Sequence, residues 1–239
     1  MSTAVITGSA RGIGAATAAL FAAYGYNVVI NYNTSEKEAL LLKEKLGKKA
    51  IAVQADVSKP EEAKRLIDTA VRHFGGVDVL VNNAGIAQQK LFTDIMQADY
   101  DRMFDCNVRS VFNCCQCVLP LMIHNKFGRI VNVSSMWGIT GASCEVHYSA
   151  SKSAVVGLTK ALAREVAPSG ITVNCVAPGV IDTPMNACFD ETTMEELRRE
   201  TPVGRLGTPD DVARAILFLA DEKNSFITGQ VLGVDGAFI

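Results

Sequence analysis

Apolar positions along the chain follow two rhythms. Short, almost wholly apolar runs rich in β-branched residues fall at 4–7, 27–31, 50–54, 77–81, 129–133, 172–176 and 231–234. Between them, apolar positions recur every three to four residues over 12–24, 35–46, 60–74, 99–124, 148–167 and 209–220. The short runs predict strands and the longer stretches helices. Strands apolar on both faces suit a parallel sheet covered by helices on each side. Strict strand–helix alternation predicts right-handed crossovers and an α/β, doubly wound parallel sheet of about seven strands. The expected strand order is 3-2-1-4-5-6-7, with a ligand crevice at the carboxyl ends of the strands, near the point where the order reverses.

No linker, repeat or low-complexity stretch divides the chain, so residues 1–239 read as one domain. The rhythm breaks once, at 182–208, where Pro184, Pro202, Gly204 and Gly207 surround a short amphipathic piece at 192–200. A long insertion after a strand's carboxyl end predicts a lid over the crevice, with a plain surface excursion as the alternative.

Composition narrows the partners. Apolar residues at 49% and charged residues at 20% describe a soluble globular chain. A formal net charge of −2 offers no electrostatic reason to expect nucleic acid or an anionic membrane. No targeting segment is visible and no apolar run approaches bilayer length, which predicts a cytoplasmic protein. Cys114 and Cys117 form a C-x-x-C within an odd total of seven cysteines. A redox pair or half a zinc site is one reading. No second Cys/His pair has ligand spacing, which favours small apolar residues on a buried helix face and predicts no metal.

The first strand runs into Thr7-Gly8-Ser9-Ala10-Arg11-Gly12-Ile13-Gly14 at the start of the first helix. Glycines there permit a tight turn and close approach to a pyrophosphate, and the helix aims its amides and positive dipole end at the anion. Asp56 and Val57 follow the third strand, where a carboxylate can accept from an adenine amino group. Asn83, Ala84 and Gly85 follow the fourth, beside the first. Each has an alternative reading as turn chemistry, but their joint placement at carboxyl ends predicts a dinucleotide site. No carboxylate stands in Asn31-Tyr32-Asn33-Thr34-Ser35, where an acidic residue would hold the ribose 2′-hydroxyl of NAD. Asn33 and Ser35 could donate to a 2′-phosphate and Arg11 could pair with it, with Asn31 a further candidate cofactor contact, so NADPH is expected and NADH is the alternative.

The fifth strand leads to Ser135, and Tyr148 and Lys152 follow at i and i+4 on a helix, sharing one face. Together with the phosphate loop, these residues resemble the short-chain dehydrogenase/reductase family. The resemblance runs from Thr3 to the C-terminus through Thr7–Gly14, Asn82–Gly85, Asn107, Ser135, Tyr148, Lys152, Asn174, Pro178, Gly179 and Thr183. It is nearest to 3-oxoacyl-acyl-carrier-protein reductases and their bacterial paralogues.

The resemblance implies a single-domain Rossmann-type fold and carbonyl reduction by hydride transfer, with Tyr148 as proton donor. It implies that Lys152 lowers the phenol pKa and binds the nicotinamide ribose. Ser135 would hydrogen-bond the substrate oxygen, and Asn107 would hold a proton-relay water. Pro178, Gly179, Ile181 and Thr183 would hold the nicotinamide. A regulator that has lost its chemistry would lack Tyr148, Lys152 or Ser135. A homotetramer is implied by helices at 99–124 and 148–167 that are apolar over a wide arc.

Substrate identity lies in fewer residues. Carrier-protein recognition in the family uses a base at the start of the fifth strand, matched by Arg129, and one before the sixth, where Pro168-Ser169-Gly170 has none. Gln88, Trp137 and Glu145 are the candidate pocket residues. Trp137 either packs on substrate or fills the loop core. Glu145 either attracts a cationic substrate or favours the helix dipole. The stretch around it also resembles reductases of the 5-aminopentanone modification on elongation factor P, an amine-bearing ketone.

Overall fold

Successive strand residues go to opposite faces of one sheet, and each face meets its own apolar cluster. The computed structural model describes residues 2–184 and 190–239. Its strands are β1 (Thr3–Ile6), β2 (Asn27–Tyr32), β3 (Ala50–Gln54), β4 (Val79–Asn82), β5 (Gly128–Val133), β6 (Ile171–Pro178) and β7 (Val231–Val234). They lie in the order β3-β2-β1-β4-β5-β6-β7, and every pairing is parallel. The helices are α1 (Gly12–Ala23), α2 (Glu36–Leu46), α3 (Pro60–Phe74), α4 (Gln97–Phe104), α5 (Ser110–Asn125), α6 (Trp137–Thr140), α7 (Val146–Val166), α8 (Glu191–Glu200) and α9 (Pro209–Ala220). This is the Rossmann-type doubly wound architecture expected from the sequence.

Val5, Val29, Leu80, Ile130 and Val173 join a cluster with α3, α5 and α7 on one face. Ala4, Ile6, Val28, Ile30, Val81 and Val131 join another with α1, α2 and α9. Burial on both faces is why the strands read as unbroken apolar runs. Helix α3 shows the local logic. Pro60 opens it, Gly75 closes it in the left-handed region, and Ala63, Leu66, Ile67 and Ala70 form its buried stripe. Full burial of Leu66 and Ile67 contributes about 2 kcal/mol each.

Three expectations change. The helix predicted over 99–124 runs unbroken over Gln97–Asn125 but is not regular, because a π-helical turn at Asp105–Arg109 lies between α4 and α5. Such turns concentrate at functional sites, and this one carries the buried Asn107. Among the described residues, the run Gln97–Asn125 is long and apolar enough to cross a membrane, contrary to the reading that no stretch approaches that length. It is apolar because it gives Val111, Cys114, Cys115, Val118 and Met122 to the core. Burial pushes the Cys115 thiol up to about 12 and Cys114 well above its usual range, so both behave as small apolar groups. Finally, the predicted lid at 182–208 lies partly outside the described residues, at 185–189. Its described base is tied down: Asp182 N donates to Gly207 O (2.8 Å) and Gly207 N to Val180 O (3.0 Å).

Candidate active site

The order reverses between β1 and β4, so the loops after these two strands diverge and open a crevice. Gly8 turns the chain there at φ +60, and a Cβ on it would stand 2.9 Å from Ala84 Cα. A Cβ on Gly14 would stand 2.6 Å from Asn83 Nδ2 and 2.7 Å from Gly8 O. Only glycine fits either position. Gly12, at φ +56, has nothing nearer to its Cβ position than Thr183 Cγ2 at 3.6 Å. Helix α1 begins with no capping side chain and no acidic residue in its first turn. Its uncompensated amides and positive end fit a pyrophosphate.

The polar residues around this loop divide into two groups. Ser9, Asn31 and Asn83, expected at the cofactor, turn inward. Ser9 Oγ donates to Ile6 O (2.7 Å) and accepts from Asn31 N (3.1 Å). Asn31 Oδ1 accepts from Gly8 N (3.1 Å), and its Nδ2 donates to Ala55 O (3.0 Å). Asn83 Nδ2 donates to Thr7 O (2.9 Å) and Gly8 O (3.1 Å). These side chains shape the loop. Arg11 and Asn33 are exposed and Ser35 is half-buried, so they remain at the surface after β1 and β2. The first carboxylate beyond β2, Glu36, accepts from Tyr32 Oη (3.4 Å). Asp56 Oδ1 accepts from Ser58 N (3.1 Å) and Ser58 Oγ (2.6 Å). The turn through Val57 is anchored by Asn113 Nδ2 on Val57 O (3.1 Å) and Ser58 O (3.0 Å).

At the carboxyl end of β5, Ser135, Tyr148, Lys152 and Asn107 are all buried. Lys152 Nζ lies 5.8 Å from the Tyr148 ring centroid and donates to Val133 O (3.0 Å). Asn107 holds the loop after β4 in both directions, accepting from Ile86 N (2.8 Å) and donating to Ile86 O (2.9 Å). Its Nδ2 also reaches Ser151 Oγ (3.0 Å). Gly85 closes the group: a Cβ there would stand 3.2 Å from Asn107 Oδ1 and 3.3 Å from Lys152 Nζ. Burial draws Lys152 down to about 8, against weaker raising by Cys175 and Cys106. Burial pushes the Tyr148 phenol up to about 12, opposed by Ser135 and reinforced by Glu145. Lys152 is not among the groups that move the phenol here; the lowering expected of it was to act together with the charge of a bound nicotinamide. A phenol at that value is protonated at neutral pH and so holds a proton, which it gives up more readily as its pKa moves toward the working pH.

Residues 8–238 match the family model described as enoyl-(acyl carrier protein) reductase. The chain belongs to the short-chain dehydrogenase/reductase family. It is similar to the 3-oxoacyl-[acyl-carrier-protein] reductase FabG of Staphylococcus epidermidis, with 41% identity over 236 residues, 98% of this chain and 97% of the relative. The FabG of Thermotoga maritima is 42% identical over 237 residues, 98% and 96% of the two chains. The uncharacterized oxidoreductase YmfI of Bacillus subtilis is 45% identical over 240 residues, 99% and 98%. As a member of this family the protein is an NAD(P)-dependent oxidoreductase.

Around the candidate centre, three consecutive residues strap the loop after β4 to the segment before Tyr148. His147 Nε2 meets Gln88 Oε1 at 2.9 Å, Gln89 Nε2 donates to Glu145 Oε1 (3.3 Å), and Lys90 N donates to Cys144 O (2.7 Å). Asp99 anchors the strap, accepting from Gln88 Nε2 (3.1 Å) and Lys90 Nζ (2.6 Å). The Gln88 amide, expected in the substrate pocket, is therefore engaged at both ends. Glu145 is buried and makes no capping bond to α7. Burial raises its pKa, and its side chain accepts from the neutral Gln89 amide.

Other predicted residues also find places. Trp137 N donates to Ser135 Oγ (3.2 Å), and its ring meets Phe238 edge-on at 5.8 Å. Pro178 O accepts from Met136 N (2.9 Å), and Gly179 N donates to Val234 O (3.0 Å). Ile181 is buried and bridges to Gly207. Asn174 ties β6 to the approach to β7 through Ile227 O and Gln230 N. Arg129 is not the exposed carrier-binding base that its position suggested. It is buried, donates to Gly128 O (2.8 Å) and Gly170 O (3.2 Å), and lies 4.5 Å over the Phe127 ring. Sequence reading passed over Gln89, Asn113 and Phe238. Of these only Asn113 carried a local signal, as a polar residue in an otherwise apolar helix face.

Proposed function

We propose that this reductase converts a ketone to a secondary alcohol with NADPH, and that the ketone is a 3-oxoacyl thioester. The observation that carries the reading is the buried Ser135–Tyr148–Lys152 group at the carboxyl end of β5, beside an uncapped, glycine-lined helix start. The thioester assignment draws on the FabG relatives. When bound, the nicotinamide supplies the hydride. Tyr148 gives its proton to the developing alkoxide, and Ser135 donates a hydrogen bond to the same oxygen. Lys152, still largely protonated at pH 7 with a pKa of about 8, places positive charge behind the phenol as it loses its proton. Asn107 and Ser151 form the polar path beside Lys152 for proton resupply. Gly8, Gly12, Ile13 and Gly14 take the pyrophosphate, Asp56 and Val57 the adenine. Ala84, Gly85, Pro178, Gly179, Ile181 and Thr183 line the nicotinamide side.

NADPH over NADH rests on Arg11, Asn33 and Ser35 at the surface after β1 and β2, with Glu36 occupied by Tyr32. Steady-state kinetics with both cofactors and acetoacetyl thioester test it, and a higher kcat/KM with NADH overturns it. Tyr148→Phe is expected to keep cofactor affinity and lose at least about a thousandfold in kcat. Retained turnover removes the assignment.

Glu145 favours a second reading. A buried carboxylate facing Tyr148 with a neutral amide as its partner suits a substrate ammonium, as in the 5-aminopentanone modification of elongation factor P. Comparing an aminoketone with the acetoacetyl thioester on wild type and Glu145→Gln separates the two. Selective loss on the aminoketone supports charge recognition, and equal loss on both refutes it. We further propose a cytoplasmic homotetramer, with 182–208 as a lid. Its contact faces are the exposed Phe92, Met96, Phe112 and Ile123 near α4 and α5, and Phe218, Phe226 and Leu232 near α9 and β7. A monomer in sedimentation removes the assembly.

A further inference from the structure

In a wholly parallel sheet the last strand ends on the same edge as the catalytic group. The residues after β7 therefore leave at the active-site rim. Asp235 Oδ1 accepts from Ala237 N (3.1 Å), and Phe238 N donates to Asp235 O (3.3 Å). Gly236 and Ala237 both have φ near +66. For Ala237 this left-handed conformation costs about 1 kcal/mol, and it persists because surrounding contacts impose it. The turn sends Phe238 back over Trp137, where the rings meet at 88°.

Both sides of this contact are fixed. Trp137 opens α6 directly after the Ser135 turn, and α6 is pressed on the catalytic helix: a Cβ on Gly138 would stand 2.9 Å from Lys152 Cβ. The tail is fixed to β6 and to the base of the lid. A Cβ on Gly179 would stand 2.7 Å from Asp235 Cα, Val203 N donates to Gly236 O (3.3 Å), and a Cβ on Gly236 would stand 2.8 Å from Thr201 Cγ2. The tail thus joins the nicotinamide side, the lid base and the Ser135 turn. It brings an aromatic pair to this end of the sheet, whereas Glu145, Gln89 and His147 form a polar strap before Tyr148.

We propose that Phe238, with Trp137, is the specificity-determining wall that receives the apolar portion of the ketone substrate, so that the last turn of the chain sets which substrate lengths are accepted. The proposal rests on the ketone-reductase reading above. Its chemistry is apolar burial against two rings held at a fixed angle, which rewards a longer acyl chain and is indifferent to a short one.

Trp137 is the only tryptophan, so its emission reports on this wall without turnover. The experiment compares wild type, Phe238→Ala and Phe238→Leu on N-acetylcysteamine thioesters of 3-oxobutanoate and 3-oxooctanoate. The expected result for Phe238→Ala is a KM for the eight-carbon substrate raised about tenfold. The four-carbon KM and both kcat values stay within about twofold. Phe238→Leu, which keeps apolar bulk, recovers most of the loss. The eight-carbon thioester added without cofactor shifts wild-type Trp137 emission, and that shift disappears in Phe238→Ala. Equal KM changes on the two substrates, a parallel fall in kcat, or an altered sedimentation coefficient overturns the proposal and makes the tail a structural or assembly element. Wild-type inactivity on both thioesters strikes the acyl reading instead, and the cofactor-free emission shift then decides the wall by itself.

Discussion

Replacing the lysine of the proposed catalytic group should make the protein more stable. Lys152 is buried, and burial draws its pKa from 10.5 down to about 8. Keeping that ammonium charged at pH 7 therefore costs the fold about 3 kcal/mol relative to the unfolded chain. Lys152→Met retains the stem and removes the charge. It also leaves Val133 O without its donor, which returns about 1 kcal/mol of penalty. The expected net gain is about 2 kcal/mol at pH 7, with activity abolished. The sign of the pH dependence is fixed. Between pH 8 and 10.5 the unfolded chain holds a proton that the folded wild type has released. Wild-type stability therefore gains about 1.4 kcal/mol per pH unit from this group, and the variant gains nothing. Denaturant unfolding of both proteins at equal concentration, from pH 7 to 9, should show the variant's advantage shrinking toward zero. Buried Cys115 and Tyr148, each held up at about 12, lower stability in alkali in both proteins and cancel in the difference; Cys175, at about 11, is lowered by Lys152, so the comparison is read from pH 7 to 9, where Lys152 dominates. A variant less stable at pH 7, or a gap that stays constant with pH, refutes the reasoning.

Other consequences are sharper in one observable. Gly14→Ala puts a methyl group against Gly8 O and Asn83 Nδ2; the loop must move, and NADPH affinity by titration should fall about a hundredfold or more. Asp211 caps α9 through Thr208 N (2.8 Å) and pairs with Arg205 (2.7 Å), which hold its carboxyl well below the usual range. Asp211→Asn should cost about 1 kcal/mol at neutral pH. That difference should fade as the pH falls below about 4, where the wild-type carboxylate begins to lose its advantage. Arg129→Met should cost about 2 kcal/mol in unfolding experiments, because three backbone carbonyls lose a buried donor. The ratio of kcat/KM on carrier-bound and free thioesters should stay within about twofold; a selective loss on the carrier-bound substrate restores Arg129 to the docking role.

The elements were legible because they depend on local periodicity. An unbroken apolar run of five residues is a strand buried on both faces whatever its neighbours, and Ala63, Leu66, Ile67 and Ala70 share a stripe through helical geometry alone. Gly8 and Gly14, Ser135, and Tyr148 with Lys152 were legible as candidates for a related reason. Their chemistry requires a residue type at a fixed spacing beside a strand's carboxyl end. The direction of a polar side chain is different, because it depends on partners from other strands. Asn31 and Asn83 read as ligand contacts until Gly8, Ala55 and Thr7 claimed their amides. Arg129 read as a surface base until Gly170 was brought beside it. The π-turn at Asn107 left no periodic mark long enough to see. The contact of Phe238 with Trp137 joins residues at opposite sides of the catalytic sequence, and only the parallel sheet, ending every strand on one edge, puts the tail there. Periodicity thus determined the fold, and motif marked the candidate centre. Tertiary contacts decided which polar groups remain for a ligand, because each buried donor and acceptor must first find its partner within the protein.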